Sequence, residues 1–387
     1  MTSRRVPGSE APNEWTRRLA ARRASGARVA DLVATDPTRL RLAPIEEAAA
    51  AIAAVWPEPY DPDPRGTLAA RRAVAACLAP RWPGADPADL VLTDSTSESY
   101  AHLFRVLADP GEAVAFPAPS YPLFEPLARA EGVEPRTYRL AFDGRWHLDR
   151  DSLARAARGA RAVVVVEPNN PTGSCLDPAD RAFVEEVAVR EGLAIVADEV
   201  FGDHPWPGGP PLPSWLGGPR RVPTFVLGGL SKLCGLPHLK LGWIAAAGPA
   251  PARAEALAAL EWVNDLFLGA GGPVQAALPA LLELRSDFAA RVRERVAANL
   301  DTLSALVRER PELTRLPADG GWSAVLRVPA ARTSEQWALS LLGRGVAVHP
   351  GDFYDFEGGE HLVVSLVARE DDVRAGCEAL AAELAAG

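Results

Sequence analysis

The chain has 387 residues, enough for a large core and for two domains. A hydrophobic fraction of 48% and a charged fraction of 24% are those of an ordinary globular protein, and a net charge of −9 argues against a nucleic-acid or anionic-membrane partner. No uncharged apolar run approaches the roughly 18 residues that span a bilayer, and the basic, polar start Met1–Pro12 has no apolar core behind it of the kind a signal peptide carries.

In chain order, residues 1–45 hold a short apolar run ahead of Asp36-Pro37-Thr38 and are expected to fold back on a small domain at the far end. From 46 to about 273, Ala-rich helical patterns alternate with short β-branched runs, the mark of βα units around a mainly parallel sheet. Strands are predicted at Val91–Thr93, Ala113–Phe116, Ala162–Val166, Leu193–Ala197, Thr224–Leu227 and Leu241–Ala246. Helices are predicted at Ser97–Leu107, Tyr121–Ala130 and Pro178–Arg190. The Pro/Gly-rich stretch Pro205–Pro219 reads as a surface loop between strands. Beyond Pro273 the pattern changes to a long helix reaching about Arg308. Shorter strands (Ala324–Val328, Val346–His349, Leu362–Leu366) and a final helix follow, making a smaller α+β domain over 274–387.

Only two lysines occur, Lys232 and Lys240, so 39 of the 41 basic residues are arginine. Guanidinium serves wherever a positive charge suffices, but it cannot lose its proton and attack a carbonyl. A lysine retained against that bias is a candidate Schiff-base nucleophile. Cys77, Cys175, Cys234 and Cys377 form no CxxC pair, which suits reduced thiols in a cytoplasm; Cys234 lies near Lys232 and reads as a buried spectator. The six histidines show no metal-ligand spacing. Polar clusters follow directly after strands at Asp94-Ser95-Thr96, Asn169-Asn170, Asp198 and Ser231-Lys232. In an open α/β sheet that edge is where ligands bind.

Three motifs then converge: Asn170-Pro171-Thr172-Gly173, Asp198-Glu199-Val200-Phe201, and Ser231-Lys232 with a cation eight residues on. Their order and spacing resemble the fold-type I, pyridoxal-phosphate-dependent aminotransferases of class I/II, from about Thr35 to the C-terminus. The resemblance implies a large cofactor-binding domain with a mainly parallel seven-stranded sheet, a smaller α+β domain, and pyridoxal 5'-phosphate as cofactor. It implies that Lys232 holds the cofactor aldehyde as a Schiff base and then moves the substrate proton. Asp198 pairs with the protonated pyridine nitrogen, so that the ring acts as an electron sink. Asn170 donates to the ring's phenolate oxygen, and Tyr121 of Pro-Ser-Tyr-Pro stacks on the ring. Ser95, Thr96 and Ser97, at a helix start, cradle the phosphate. Ser231 belongs to the same set, and Lys240 falls where the family carries a phosphate-binding arginine. Tyr60, in Tyr-Asp-Pro-Asp-Pro-Arg-Gly66, matches a tyrosine that reaches the neighbouring subunit's phosphate, which implies a homodimer.

The chain departs from that family at four places. Phe201 stands where a tyrosine usually donates to the phenolate oxygen. Gly229 replaces a frequent phosphate-binding serine, and Lys240 replaces the arginine fork. Leu362-Val363-Val364-Ser365 has Val363 where the family's arginine clamps the substrate α-carboxylate. Arg39 and Arg41 are the candidates to replace that clamp. Trp262–Gln275 contains no arginine, which disfavours an acidic distal group on the substrate. Trp322, Phe353 and Tyr354 resemble pocket walls, with small-domain core as the other reading of each. The leading expectation is an aminotransferase acting between a small-molecule amino donor and a carbonyl acceptor. The alternative is another carbanion reaction on the same scaffold: elimination or replacement, decarboxylation, or oxidation.

Overall fold

The computed structural model describes residues 3, 5–6, 11–56, 62–267 and 269–386. After an N-terminal helix (Glu14–Ala24) comes a two-residue strand, β1 (Ala30–Asp31). The main sheet is built from β2 (Leu90–Thr93), β3 (Ala113–Ala118), β4 (Glu134–Phe142), β5 (Trp146–Leu148), β6 (Ala160–Val166), β7 (Ala194–Asp198), β8 (Thr224–Gly229) and β9 (Gly242–Ala247). Their spatial order is β2-β9-β8-β7-β6-β3-β4-β5. The run β8-β7-β6-β3-β4 is parallel, whereas β9 and β5 are antiparallel to their neighbours. The sheet thus has eight strands rather than seven, because the short β5 folds back as a hairpin on β4.

The Val-rich centre of this sheet is buried on both faces, as parallel strands covered by helices must be. Alternation along the strands divides it. Val163, Val165, Ile195, Ala197 and Val226 enter one hydrophobic cluster, and Val164, Val166, Val196, Phe225 and Leu227 enter another. Because β2, β3, β6, β7 and β8 run the same way, their carboxyl ends share one edge.

The C-terminal part of the chain carries β10 (Thr314–Arg315), β11 (Ser323–Val328), β12 (Val346–Ala347), β13 (His349–Pro350) and β14 (Glu360–Ser365). β10-β11-β14-β13 form an antiparallel sheet, and β12 pairs in parallel with β1. One face of that sheet, with Ala324, Leu326, Leu362 and Val364, packs with Phe288, Val292 and Val296, and with Trp15, Leu19 and Leu32 of the N-terminal segment. The opposite face carries Ser323, Val325, Val363 and Ser365, which lie across from one another in register.

Two expectations need correction. The predicted long helix breaks at Leu284 into Gly272–Glu283 and Arg285–Glu309. Its first half packs in the large-sheet cluster through Leu278 and Leu281, and its second packs against the small sheet. The Pro205–Pro219 stretch is not merely a surface loop, for Trp215 within it is fully buried. Its ring nitrogen donates to Glu167 at 2.9 Å and its backbone N–H to Glu199 at 2.6 Å.

Candidate active site

A cavity of about 200 Å³ opens at the shared strand edge, lined among others by Lys232, Asp198, Asn170, Tyr121, Thr96 and Ser97. They come from five strand ends, with Thr96 and Ser97 sharing the one after β2, which is why residues far apart in sequence meet there. Asp198 is the last residue of β7 and is buried. Its Oδ1 accepts from the Val200 N–H and its Oδ2 from the Tyr100 hydroxyl, both at 3.0 Å. Burial pushes its carboxyl above the ordinary range, while these two donors and the charge of Lys232 pull it back.

Lys232 sits on the single turn Leu230–Leu233 that follows β8. Burial lowers the proton affinity of its amine, with Asp36 and Asp198 opposing the shift. Its Nζ is 5.0 Å from the centre of the Trp322 ring and 5.6 Å from that of Phe201. His204 touches the Lys232 carbonyl oxygen through Nε2 at 2.8 Å. Burial drives this imidazole down to about 4, so it is neutral and donates, holding the lysine's backbone.

Asn170 is presented by a turn whose end, Gly173, has φ +68°. A Cβ on Gly173 would lie 2.5 Å from the Gly320 carbonyl oxygen, so the motif's glycine is required by close packing. The preceding Asn169 is fully engaged: it donates to Pro119 O and Thr172 Oγ1 and accepts from Ser120. Asn170 makes no side-chain hydrogen bond among the described residues. Thr96 and Ser97 open the helix Thr96–Leu107 and both line the cavity, and the first amides of a helix have no partner within it.

Some expected residues stand elsewhere. Ser95 is the helix N-cap: its hydroxyl accepts from the Glu98 N–H at 3.2 Å, and it does not line the cavity. Lys240, in a left-handed backbone conformation, is exposed and does not line the cavity; its charge acts on Asp94. Arg39 is 89% exposed in its side chain and pairs with Asp36 at 3.5 Å, and Arg41 is exposed as well; neither lines the cavity, contrary to their expected place beside the substrate. Tyr354 is outside the lining too, its hydroxyl bonded to His349 Nδ1 at 3.0 Å, and Phe353 packs on Trp15 in the small-domain core. Tyr60 lies outside the described residues. Phe201, Ser231 and Trp322 do line the cavity, with Phe201 and Trp322 edge to face at 5.3 Å. Gly229 lines it as well, and a Cβ there would meet the Leu241 carbonyl at 3.0 Å, leaving little room for the serine it replaces.

Sequence reasoning misses Thr35, Ser323, Tyr100 and His204. Among the described lining residues Lys232 is the one cation, and Val363 is buried in the sheet face that carries Ser323.

This donor set fits pyridoxal 5'-phosphate. A carboxylate stands ready for a protonated ring nitrogen, an unengaged amide for a ring oxygen, and an amine of lowered basicity for an aldehyde. An aromatic is present for the ring face, and a helix start with two hydroxyls for the phosphate.

Fold and site together are those of a fold-type I pyridoxal-phosphate enzyme with an aspartate-aminotransferase-like architecture. The chain belongs to the family "Aminotransferase class I and II", whose sequence profile matches residues 61–380. It is 32% identical to nicotianamine aminotransferase 1 of Oryza sativa subsp. japonica, over 59% of this chain and 47% of that protein. It is 30% identical to an S-alkyl-thiohydroximate lyase of Arabidopsis thaliana, over 64% of this chain and 54% of that one. The chain spans about half the length of these curated relatives. An alanine aminotransferase from Pyrococcus furiosus superposes with a TM-score of 0.90 at 21% identity, covering 100% of both chains.

Proposed function

We propose that this chain is an aminotransferase that exchanges an amino group between a small-molecule donor and a carbonyl acceptor through Lys232. The observation that carries the proposal is the Lys232 amine, stripped of part of its basicity by burial, in one cavity with the buried carboxylate of Asp198. When bound, the cofactor supplies an aldehyde that joins to an amine and a ring that accepts electrons from a substrate carbon.

The residues do the rest. A lysine of lowered basicity keeps more neutral amine near neutral pH, so Nζ can attack a carbonyl and afterwards carry the proton taken from the substrate carbon. Asp198, held at both oxygens, offers a fixed negative charge to a cationic ring nitrogen. Asn170 would donate to the ring oxygen, and Tyr121 would offer an aromatic surface to the ring. Thr96 and Ser97 would hold the phosphate with their hydroxyls and the helix-start amides, Lys240 would add positive charge, and Tyr60 of a second copy would complete the cradle. Trp322 and Phe201 keep water from the lysine's apolar side.

The substrate half of the cavity is formed by Thr35, Ser323, Trp322 and Phe201, with buried Val363 in place of a clamp. The donor in this reading is an amine or amino acid that is not dicarboxylic. A homodimer is part of the reading, supported by exposed Trp262, Leu266 and Phe267 at one helix end. So is a cytoplasmic setting, supported by four free cysteines. No helix among the described residues is long and apolar enough to cross a membrane. The division into an N-terminal segment 1–45, a large domain 46–273 and a small one 274–387 also belongs to the proposal.

Likeness to a lyase favours elimination on the same residues as the second reading. A screen of amines and amino acids, followed by the absorbance of the bound cofactor, separates the two. Conversion to the amine form marks transfer; release of ammonia or a thiol without that conversion marks elimination.

A further inference from the structure

Asp198 has a partner outside the expected motifs. Tyr100 lies one turn into the helix whose first residues, Thr96 and Ser97, edge the cavity. Its ring is buried between Phe104, at 5.8 Å between centroids, and Phe124, at 5.2 Å. Its hydroxyl donates to Asp198 Oδ2 at 3.0 Å, while Oδ1 takes the Val200 N–H at the same distance. Each carboxylate oxygen has capacity for two acceptances, so one remains on each. A single helix therefore touches both ends of the proposed cofactor site, the phosphate end through its start and the carboxylate end through Tyr100.

We propose that Tyr100 is a positioning residue. It fixes the Asp198 carboxylate in the orientation and ionised state that grips the cofactor's ring nitrogen, and it ties that grip to the phosphate-cradling helix. The inference rests on the reading of Lys232 and Asp198 as cofactor-binding residues. A purely structural role, a hydroxyl satisfied because it is buried, is the competing account.

Tyr100→Phe keeps the aromatic packing and removes one oxygen. Pyridoxal phosphate is titrated into apoenzyme of wild type, Y100F, Asp198→Asn and the double variant, with the absorbance band of the bound cofactor and apoenzyme thermal unfolding recorded alongside. A hydrogen bond to a charged group is worth enough for an effect of about ten-fold. We expect Y100F to weaken cofactor affinity by about that factor and to alter the band at fixed pH, with apoenzyme unfolding near the wild-type temperature. In the D198N background the same change should have an effect under about two-fold, because Tyr100 acts through the carboxylate. Wild-type affinity and spectrum in Y100F would overturn the inference. So would an undiminished effect in the D198N background, or an apoenzyme that no longer folds, since the bond would then serve the fold. Failure of the underlying reading looks different: wild-type enzyme itself would take up no cofactor.

Discussion

Phe201 puts a bare ring into the cavity where the resembled family puts a hydroxylated one. A buried hydrogen bond to an ionised oxygen shifts a proton equilibrium by roughly one unit. Phe201→Tyr should therefore lower the acid–base midpoint of the bound cofactor's absorbance by about one pH unit, read by spectrophotometric titration; an unmoved midpoint contradicts the assigned geometry. Lys232, Asp198 and Asn170 are legible in the sequence because each follows a strand end within a compact motif. Thr35 and Ser323 are not, since they are brought together from segments far apart by the folded small domain. Tyr100 reads simply as a core aromatic in a helical pattern, and nothing local points it at a carboxylate ninety-eight residues away. Arg39 looks well placed in sequence, yet its side chain lies in solvent, paired with Asp36.

At the scale of elements, the most consequential departure from the sequence reading is the Pro/Gly-rich segment after β7. It returns Trp215 into the core, where Glu167 and Glu199 bind it and Arg181 pairs with Glu167. Burial lifts the Glu167 carboxyl to about 7, with Arg181, the Leu176 N–H and Trp215 holding it down. The folded chain thus keeps this proton where the unfolded chain releases it near the ordinary 4.5. Its contribution to stability is full below that lower value and is lost as pH rises through 7. The loss amounts to at most about 3 kcal/mol. Glu167→Gln should flatten the fall in unfolding temperature between pH 5 and 8, while an unchanged slope would assign that slope to other groups. Trp215→Phe should cost about 1–3 kcal/mol in chemical denaturation by leaving a buried carboxyl short of a donor. The central strands are legible because Val-rich runs buried on both faces have little else to be. β4 is not, because Pro135, Arg136 and Arg139 break its apolar alternation at a partly exposed position in the sheet.

For the whole molecule, three large apolar side chains crowd the end of the helix Ala250–Asp265 and the turn after it: Trp262 at 67% exposure, Leu266 at 60% and Phe267 at 52%. Exposed apolar groups gathered in this way mark an interface. Sedimentation equilibrium should give twice the chain mass for the wild type. Trp262→Asp with Leu266→Asp should shift it toward monomer and, on the proposal that Tyr60 serves a second copy's site, weaken cofactor retention. A doubly substituted chain that stays dimeric would place the interface elsewhere. The separate C-terminal sheet is legible from the change of pattern past residue 273, but the helix break at Leu284 is not, since an unbroken helical periodicity runs across it.

One covalent bond, at the Lys232 amine, decides the proposed activity. Borohydride reduction of protein purified with pyridoxal phosphate, followed by peptide mass mapping, should find the reduced cofactor attached to Lys232. The Lys232→Ala variant should show no such adduct and a loss of turnover on the order of 10³-fold or more. Label on Lys240 with Lys232 unmodified, or wild-type turnover in the alanine variant, would contradict it.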